Sequence, residues 1–450
     1  MTNYIALGFY LLILFILTFV ASKNESQKDF LIASGDVTWQ CLGLSIFASV
    51  ISSYNIVVSL SFSYILGPWV LLVYIGALLG FATIYYLVKK TNMDASVRKN
   101  FNSIIDFIID KFGYVNASVF NLSFILVLFL FISMQFFVNT AIFSQLIGWN
   151  KYASTLVVST IVFLYIAKGG LKVEILTDVV QGIFMFLFVA LLFFADTSNL
   201  TKSIVIPLIK DKALLFSALC IGVAQFLTLL VQPDMWQKIY ASKSRYDLKK
   251  SIAFSSILVL VFIIPIIILG LSVRAKGLID SPDMIFYDIL KTAAPEWFLP
   301  VVSVSLFAAF MSSLDSSLFA LATQIGKYGF WIKKDVASKG YDEKKAVVNI
   351  KKSLFFITIA TSVVSLYFSD FLSQVMQLIS LLTINAVVIL SGILLKLSHR
   401  EVLISLLLGI AIFVIFAFSK VISAEPYTVL YPSGAVILYI AVRRFSLYLR

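Results

Sequence analysis

Thirteen stretches of this chain are apolar over about the length a helix needs to cross a bilayer core, roughly 20 residues. They run 3–21, 40–66, 69–88, 116–148, 152–168, 170–195, 214–232, 251–273, 298–326, 353–369, 371–397, 402–419 and 427–442. Inside hydrocarbon every backbone N–H and C=O must be paired within its own segment, and a helix does this. The pattern therefore predicts an all-α integral membrane protein of about 13 transmembrane helices. Composition excludes the alternatives. Charged residues make up 13% of the chain, about half the share a soluble protein uses, and 60% is apolar, which excludes disorder. The first stretch lacks a basic lead and a small-residue cleavage site, so it reads as a retained helix rather than a signal peptide. Two amphipathic pieces, 102–113 and 284–294, do not span and suit an interface.

The formal charge of +12 could suggest nucleic acid, but its placement gives a simpler account. With the N-terminus outside, 27 of the 35 Lys and Arg fall on inner connections, Lys238 and the eight lysines from Lys327 to Lys352 among them. This is the positive-inside pattern, predicting N-out and C-in. The hydrophilic stretch 327–352 reads as a solvated inner loop, and Asn199-Leu200-Thr201 is a formal glycosylation sequon of little weight. Cys41 and Cys220 lie in apolar runs without metal or disulfide spacing. His399 is the only histidine, so metal or triad chemistry built on histidine is excluded.

Polar residues at membrane depth are costly and mark ion or proton pathways. Three stretches carry them. The second holds Ser45, Ser49, Ser52 and Ser53 near its middle. A local break there would free carbonyls such as those of Ala48 and Ile51, which suit Na⁺; a small-residue packing seam is the other reading. The sixth carries Asp178 about 12 Å along the helix from Gly170. It is either a buried pair with a Lys or Arg or a cation or proton site. The ninth places Ala309, Ser312, Ser313 and Ser316 on one helical face, with Asp315 at its edge. Hydroxyls and carbonyls are hard oxygen ligands for a small monovalent ion.

Several landmarks are shared with one family. They are Asp29-Phe30-Leu31-Ile32-Ala33-Ser34-Gly35, then Gly169-Gly170-Leu171-Lys172 with Thr177, Asp178 and Gln181. Trp236-Gln237-Lys238 with Ala241 and Ser242 follows, and then Met311-Ser312-Ser313. In these residues the chain resembles the sodium/solute symporter family of sodium–glucose, sodium–proline and sodium–sialate transporters, over roughly residues 29 to 400. The resemblance implies a leucine-transporter-like core, two inverted five-helix repeats with discontinuous helices around a midplane site. It implies a main Na⁺ site at the carbonyls of Ala48, Ile51 and Ala309 and the hydroxyls of Ser312 and Ser313. It also implies a second cation or proton site at Asp178, Ser312 and Ser316, with Asp315 replacing a small hydroxyl residue. Gln225 and Gln377 stand where relatives contact solute, with Ser53, Tyr54, Asn55 and Gln135 as further candidates. Val50, Tyr54-Asn55 and Asn385 depart from the sugar-binding pattern and argue against a hexose.

The expected organisation is a lead-in helix and inner loop over 1–28, a ten-helix core over 29–400, and two accessory helices with a basic tail over 401–450. The expected activity is Na⁺-coupled symport of a small polar organic solute into the cell by alternating access, with Na⁺ as coupling ion, no organic cofactor and no covalent chemistry. Proton-coupled symport, a solute sensor without flux and a channel are the alternatives. The partners are a small solute and the lipid bilayer of a plasma membrane, bacterial inner membrane by its Lys- and Ile-rich composition. No nucleic acid and no obligate protein partner is expected.

Overall fold

The computed structural model describes residues 2–23, 26–35, 37–51, 53–91, 101–190, 200, 202–276, 295–334, 342–368, 371–423 and 425–448. The piece 284–294 and the ends of the sequon lie outside them. The described chain is almost wholly helical. Its lead-in consists of α1 (Thr2–Ser22) and the short α2 (Gln27–Ile32). There follow α3 (Trp39–Val50), α4 (Ser53–Leu66), α5 (Leu71–Thr91), α6 (Ile104–Ile147) and α7 (Lys151–Val189). Next come α8 (Lys202–Lys210), α9 (Lys212–Val231), α10 (Pro233–Ala241), α11 (Arg245–Lys276) and α12 (Leu299–Thr323). The chain closes with α13 (Glu343–Ser365), α14 (Phe371–Leu394), α15 (His399–Phe418) and α16 (Tyr431–Tyr448).

Two helices are too long to be straight spans. The 44 residues of α6 would extend about 66 Å at 1.5 Å per residue, twice the bilayer core. The helix is interrupted at Gly113 (φ 77°, ψ 167°), which separates the amphipathic start expected over 102–113 from the spanning part. Ser103 and Asp106 form a capping box at that start. In α7 the interruption falls at Gly170 (φ 52°, ψ −157°). A Cβ at Gly170 would lie 2.5 Å from the Phe30 ring, so both its conformation and its neighbour demand glycine.

Ten described stretches are long and apolar enough to span, against the thirteen expected. Three places account for the difference. The two halves of α7 count as one, α4 and α5 run together as Asn55–Thr91, and α16 is interrupted in hydropathy by its arginines. Two further expectations change. Lys238 and Lys327, counted among loop lysines, have fully buried side chains. The stretch 327–352 is only partly loop: it begins in a π-helical turn over Gln324–Tyr328 and ends in the first turns of α13. Lys327 donates to Asp106 at 2.8 Å and to Asn102 at 2.5 Å, tying the end of α12 to the amphipathic start of α6.

Two landmark motifs meet in space. Phe30 packs on Gly170, and Lys172 reaches Asp29 at 3.1 Å. Asp29 also accepts from the Ser26 and Ser34 hydroxyls and from the Ser26 backbone N–H. Burial opposes ionisation of this carboxyl, but those donors and the ammonium outweigh it and hold its pKa down at about 2, from 3.8. A depressed carboxyl contributes stability that is present above the unfolded value and lost as pH falls toward the folded one. Wild-type stability should therefore drop between about pH 4 and pH 2 by a component that Asp29→Asn lacks. Thermal midpoints of both proteins across that window check this, and parallel curves would exclude it.

α5 and α9 approach each other backbone to backbone. A Cβ at Gly76 would lie 2.0 Å from the carbonyl oxygen of Gly222, and one at Gly222 would lie 2.8 Å from that of Leu72. Small residues let helices without a hydrophobic driving force pack backbone to backbone. Here the two glycines are that contact.

Candidate ion and solute sites

The second apolar stretch is broken. α3 ends at Val50, Ile51 leaves helical geometry (φ −94°, ψ 73°), and α4 starts at Ser53. The last four carbonyls of a helix have no intrahelical donor, here those of Phe47, Ala48, Ser49 and Val50. The Ile51 N–H takes the Phe47 carbonyl at 2.9 Å, and the Asn55 amide takes that of Val50. The Ala48 carbonyl receives the Ser312 hydroxyl of α12 at 3.0 Å. A corresponding break separates α9 from α10 at Gln232 (φ −63°, ψ 118°), just before Pro233.

Across from the first break, the Ser312 Oγ also lies 3.3 Å from the Ala309 carbonyl, and the Ser313 Oγ lies 3.5 Å from it. Oxygens of a ligand shell at about 2.4 Å from a cation sit about 3.4 Å apart at right angles, so this spacing fits one small ion. Ser313 also donates to Gln135 Oε1 at 3.0 Å. Among the described residues no cluster of three or more His, Cys, Asp or Glu could hold a metal.

One turn further along α12 lies a charged group. Lys238, from α10, has its ammonium 2.7 Å from Asp178 Oδ2, 3.5 Å from Glu174 Oε1, 3.2 Å from the Ser45 carbonyl and 3.2 Å from Ser316 Oγ. It also donates to Ser49 Oγ. Ser45 donates to Asp178 at 2.5 Å, and Ser316 donates to Glu174 at 2.7 Å. Asp315 points elsewhere, accepting from the Tyr165 hydroxyl at 2.6 Å and the Ser316 backbone N–H at 2.7 Å.

A cavity of about 100 Å³ opens beside the first break. Ser49, Asn55, Ser59, Tyr74, Gln225, Thr228 and Gln232 supply its polar lining, and valines, leucines and phenylalanines of α4, α5, α6, α9 and α14 supply the rest. No described lining residue is charged.

Residues 30–409 match the sodium:solute symporter family. The chain belongs to that family. With its ten described apolar spans it is an integral membrane protein. The chain is 24% identical over 322 residues to the spermidine transporter DUR31 of Candida albicans, a match covering 68% of this chain and 60% of that one. It is 22% identical over 168 residues to a Drosophila melanogaster protein assigned provisionally as a sodium-dependent multivitamin transporter, covering 37% of this chain and 27% of that one. The matched region thus spans 60% or less of each relative's length. Its structure resembles that of a Na⁺-coupled sialic acid symporter in a substrate-bound outward-open state. The TM-score is 0.76, identity is 18%, and coverage is 97% of this chain and 96% of that one. The fold is thus the leucine-transporter-like one expected, with its discontinuous helices at α3–α4 and α9–α10.

The structure brings Ala48, Ala309, Ser312 and Ser313 together at the break where Ile51 stands. It brings Asp178 and Ser316 together, but Ser312 bonds the first group and Asp315 bonds Tyr165. Gln225 and Asn55 line the cavity beside the first break. Gln377 lines a neighbouring cavity of about 320 Å³, and Leu378 belongs to the walls of both. Gln135 faces Ser313. The side chains of Ser53 and Tyr54 lie outside the described residues. Asn385 bonds Ser123 at 2.8 Å, joining α14 to α6. Sequence reasoning missed Glu174 and the burial of Lys238. Glu174 precedes Asp178 by one helical turn in an apolar run, a spacing that shares a face.

Proposed function

We propose that the symporter moves a small, polar, uncharged organic solute into the cell with Na⁺ by alternating access, N-terminus outside and C-terminus inside, in a core spanning residues 29–400. The observation that carries this reading is the Ser312 hydroxyl set between the Ala48 and Ala309 carbonyls at a helix break. The ion's ligands are these three with Ile51 and Ser313. Such a ligand set exists only while α3 and α12 face each other, so binding Na⁺ favours one arrangement of the two helices. A ligand shifts a conformational equilibrium by its differential affinity for the two states.

The solute sits beside it, against Asn55 and Gln225. Amides and hydroxyls offer both donors and acceptors, and the apolar walls take a hydrocarbon face. The polyamine of the Candida relative and the sialate of the structural relative would find no counter-charge among the described lining residues. A neutral solute is what this lining suits.

Ser312→Ala and Ser313→Ala, at equal expression, should each raise the Na⁺ concentration needed for half-maximal uptake. Solute affinity should fall with it, by about 5- to 150-fold where coupling is 1–3 kcal/mol. Solutes are first found by thermal shift with and without Na⁺, because a ligand of the native state raises its apparent stability. An unchanged Na⁺ dependence in both variants would move the ion elsewhere.

A further inference from the structure

The reading above needs one Na⁺ site, yet α3, α7 and α12 enclose a second position built of oxygens. A carbonyl (Ser45), two hydroxyls (Ser49 and Ser316) and two carboxylates (Asp178 and Glu174) surround it. This is the hard donor set that a monovalent cation takes. At its centre stands the ammonium of Lys238. An ammonium has three N–H donors, and five oxygens surround this one. The surplus is what distinguishes a cation cage from a simple ion pair. The side chain of Lys238 is fully buried, as are those of both carboxylate partners to within 2%, so the group stays out of exchange with water.

We propose that Lys238 is a tethered cation: its ammonium permanently occupies a second ion position between α3, α7 and α12. The symporter therefore moves one Na⁺ per solute, a count that deepens and rests on the coupling reading above. Asp315 does not belong to the cage, since Tyr165 and the Ser316 backbone satisfy it. Ser49 does, and it also lines the solute cavity, so the ammonium is one residue from the solute. Because the charge is covalently held by α10, it cannot leave with the cargo, and it contributes nothing to the driving force of a gradient.

Two measurements test this. Radioactive Na⁺ binding to the purified wild type should saturate at one ion per chain, and two would overturn the proposal. Lys238→Ala empties the cage of its own cation while leaving the five oxygens. This variant should bind a second Na⁺, and methylammonium should raise its melting temperature by about 2–4 °C, whereas bulky tetramethylammonium should not. The wild type should ignore methylammonium. A Lys238→Ala protein that binds no extra ion and ignores methylammonium would also overturn the cage. If that variant does not fold, the wild-type ion count decides alone. If the wild type binds no Na⁺, the coupling reading fails, and the methylammonium response still judges the cage.

Discussion

Asp178→Ala is expected to destabilise the symporter by about 3–5 kcal/mol, the cost of removing one partner from a buried ion pair. The mechanism is desolvation. Lys238 would keep its burial and lose its nearest counter-charge, leaving only Glu174 at 3.5 Å to compensate. Removing every member of such a buried group is often neutral, so Asp178→Ala combined with Glu174→Gln and Lys238→Met, which strands neither carboxylate, should recover most of the loss. Thermal inactivation midpoints in detergent measure all three proteins. A single variant as stable as wild type would show that the pair does not hold α10 to α7. A combined variant no better than the single would locate the damage in packing instead.

Gly76→Ala should be nearly as harmful through a different cause. Alanine normally stabilises a helix relative to glycine by about 0.5–1 kcal/mol. At this position the added methyl would meet a backbone carbonyl oxygen, which cannot rotate aside as a side chain can. Overpacking of this kind costs about 1–3 kcal/mol and sometimes more, and α5 and α9 must separate to relieve it. Gly434→Ala is the control, because nothing lies within 4 Å of a Cβ there. Its stability should be unchanged or slightly higher. Equal midpoints for the two variants would mean that the α5–α9 contact yields without strain.

Much of the fold was legible because hydrocarbon leaves a chain few choices. The apolar lengths located the helices, and the amphipathic piece 102–113 and the Gly169-Gly170 pair end or lie where α6 and α7 stop being straight. The polar face of α12 was legible as well, since Ala309, Ser312, Ser313 and Ser316 stand at i, i+3, i+4 and i+7. Lys238 was not. It lies in a polar run between two apolar stretches, where charge usually means water, and only three helices from distant parts of the chain reveal that it is enclosed. Glu174 hid for a similar reason: next to Lys172 and a glycine pair it reads as a boundary residue. The position of Gln377, one cavity away from Gln225, depends on the packing of α14 against α6, which no local pattern encodes.

The enclosed lysine also bears on how the chain is made. Ser316, which completes its surroundings, lies 78 residues further along the sequence. A ribosome adding about 5–20 residues per second reaches it about 4–16 s later. Throughout that interval the two carboxylates of α7 are already made, but the hydroxyl of α12 that completes the oxygen shell of Lys238 is not. Closing the core is thus a late act of biogenesis, and it waits for the emergence of α12.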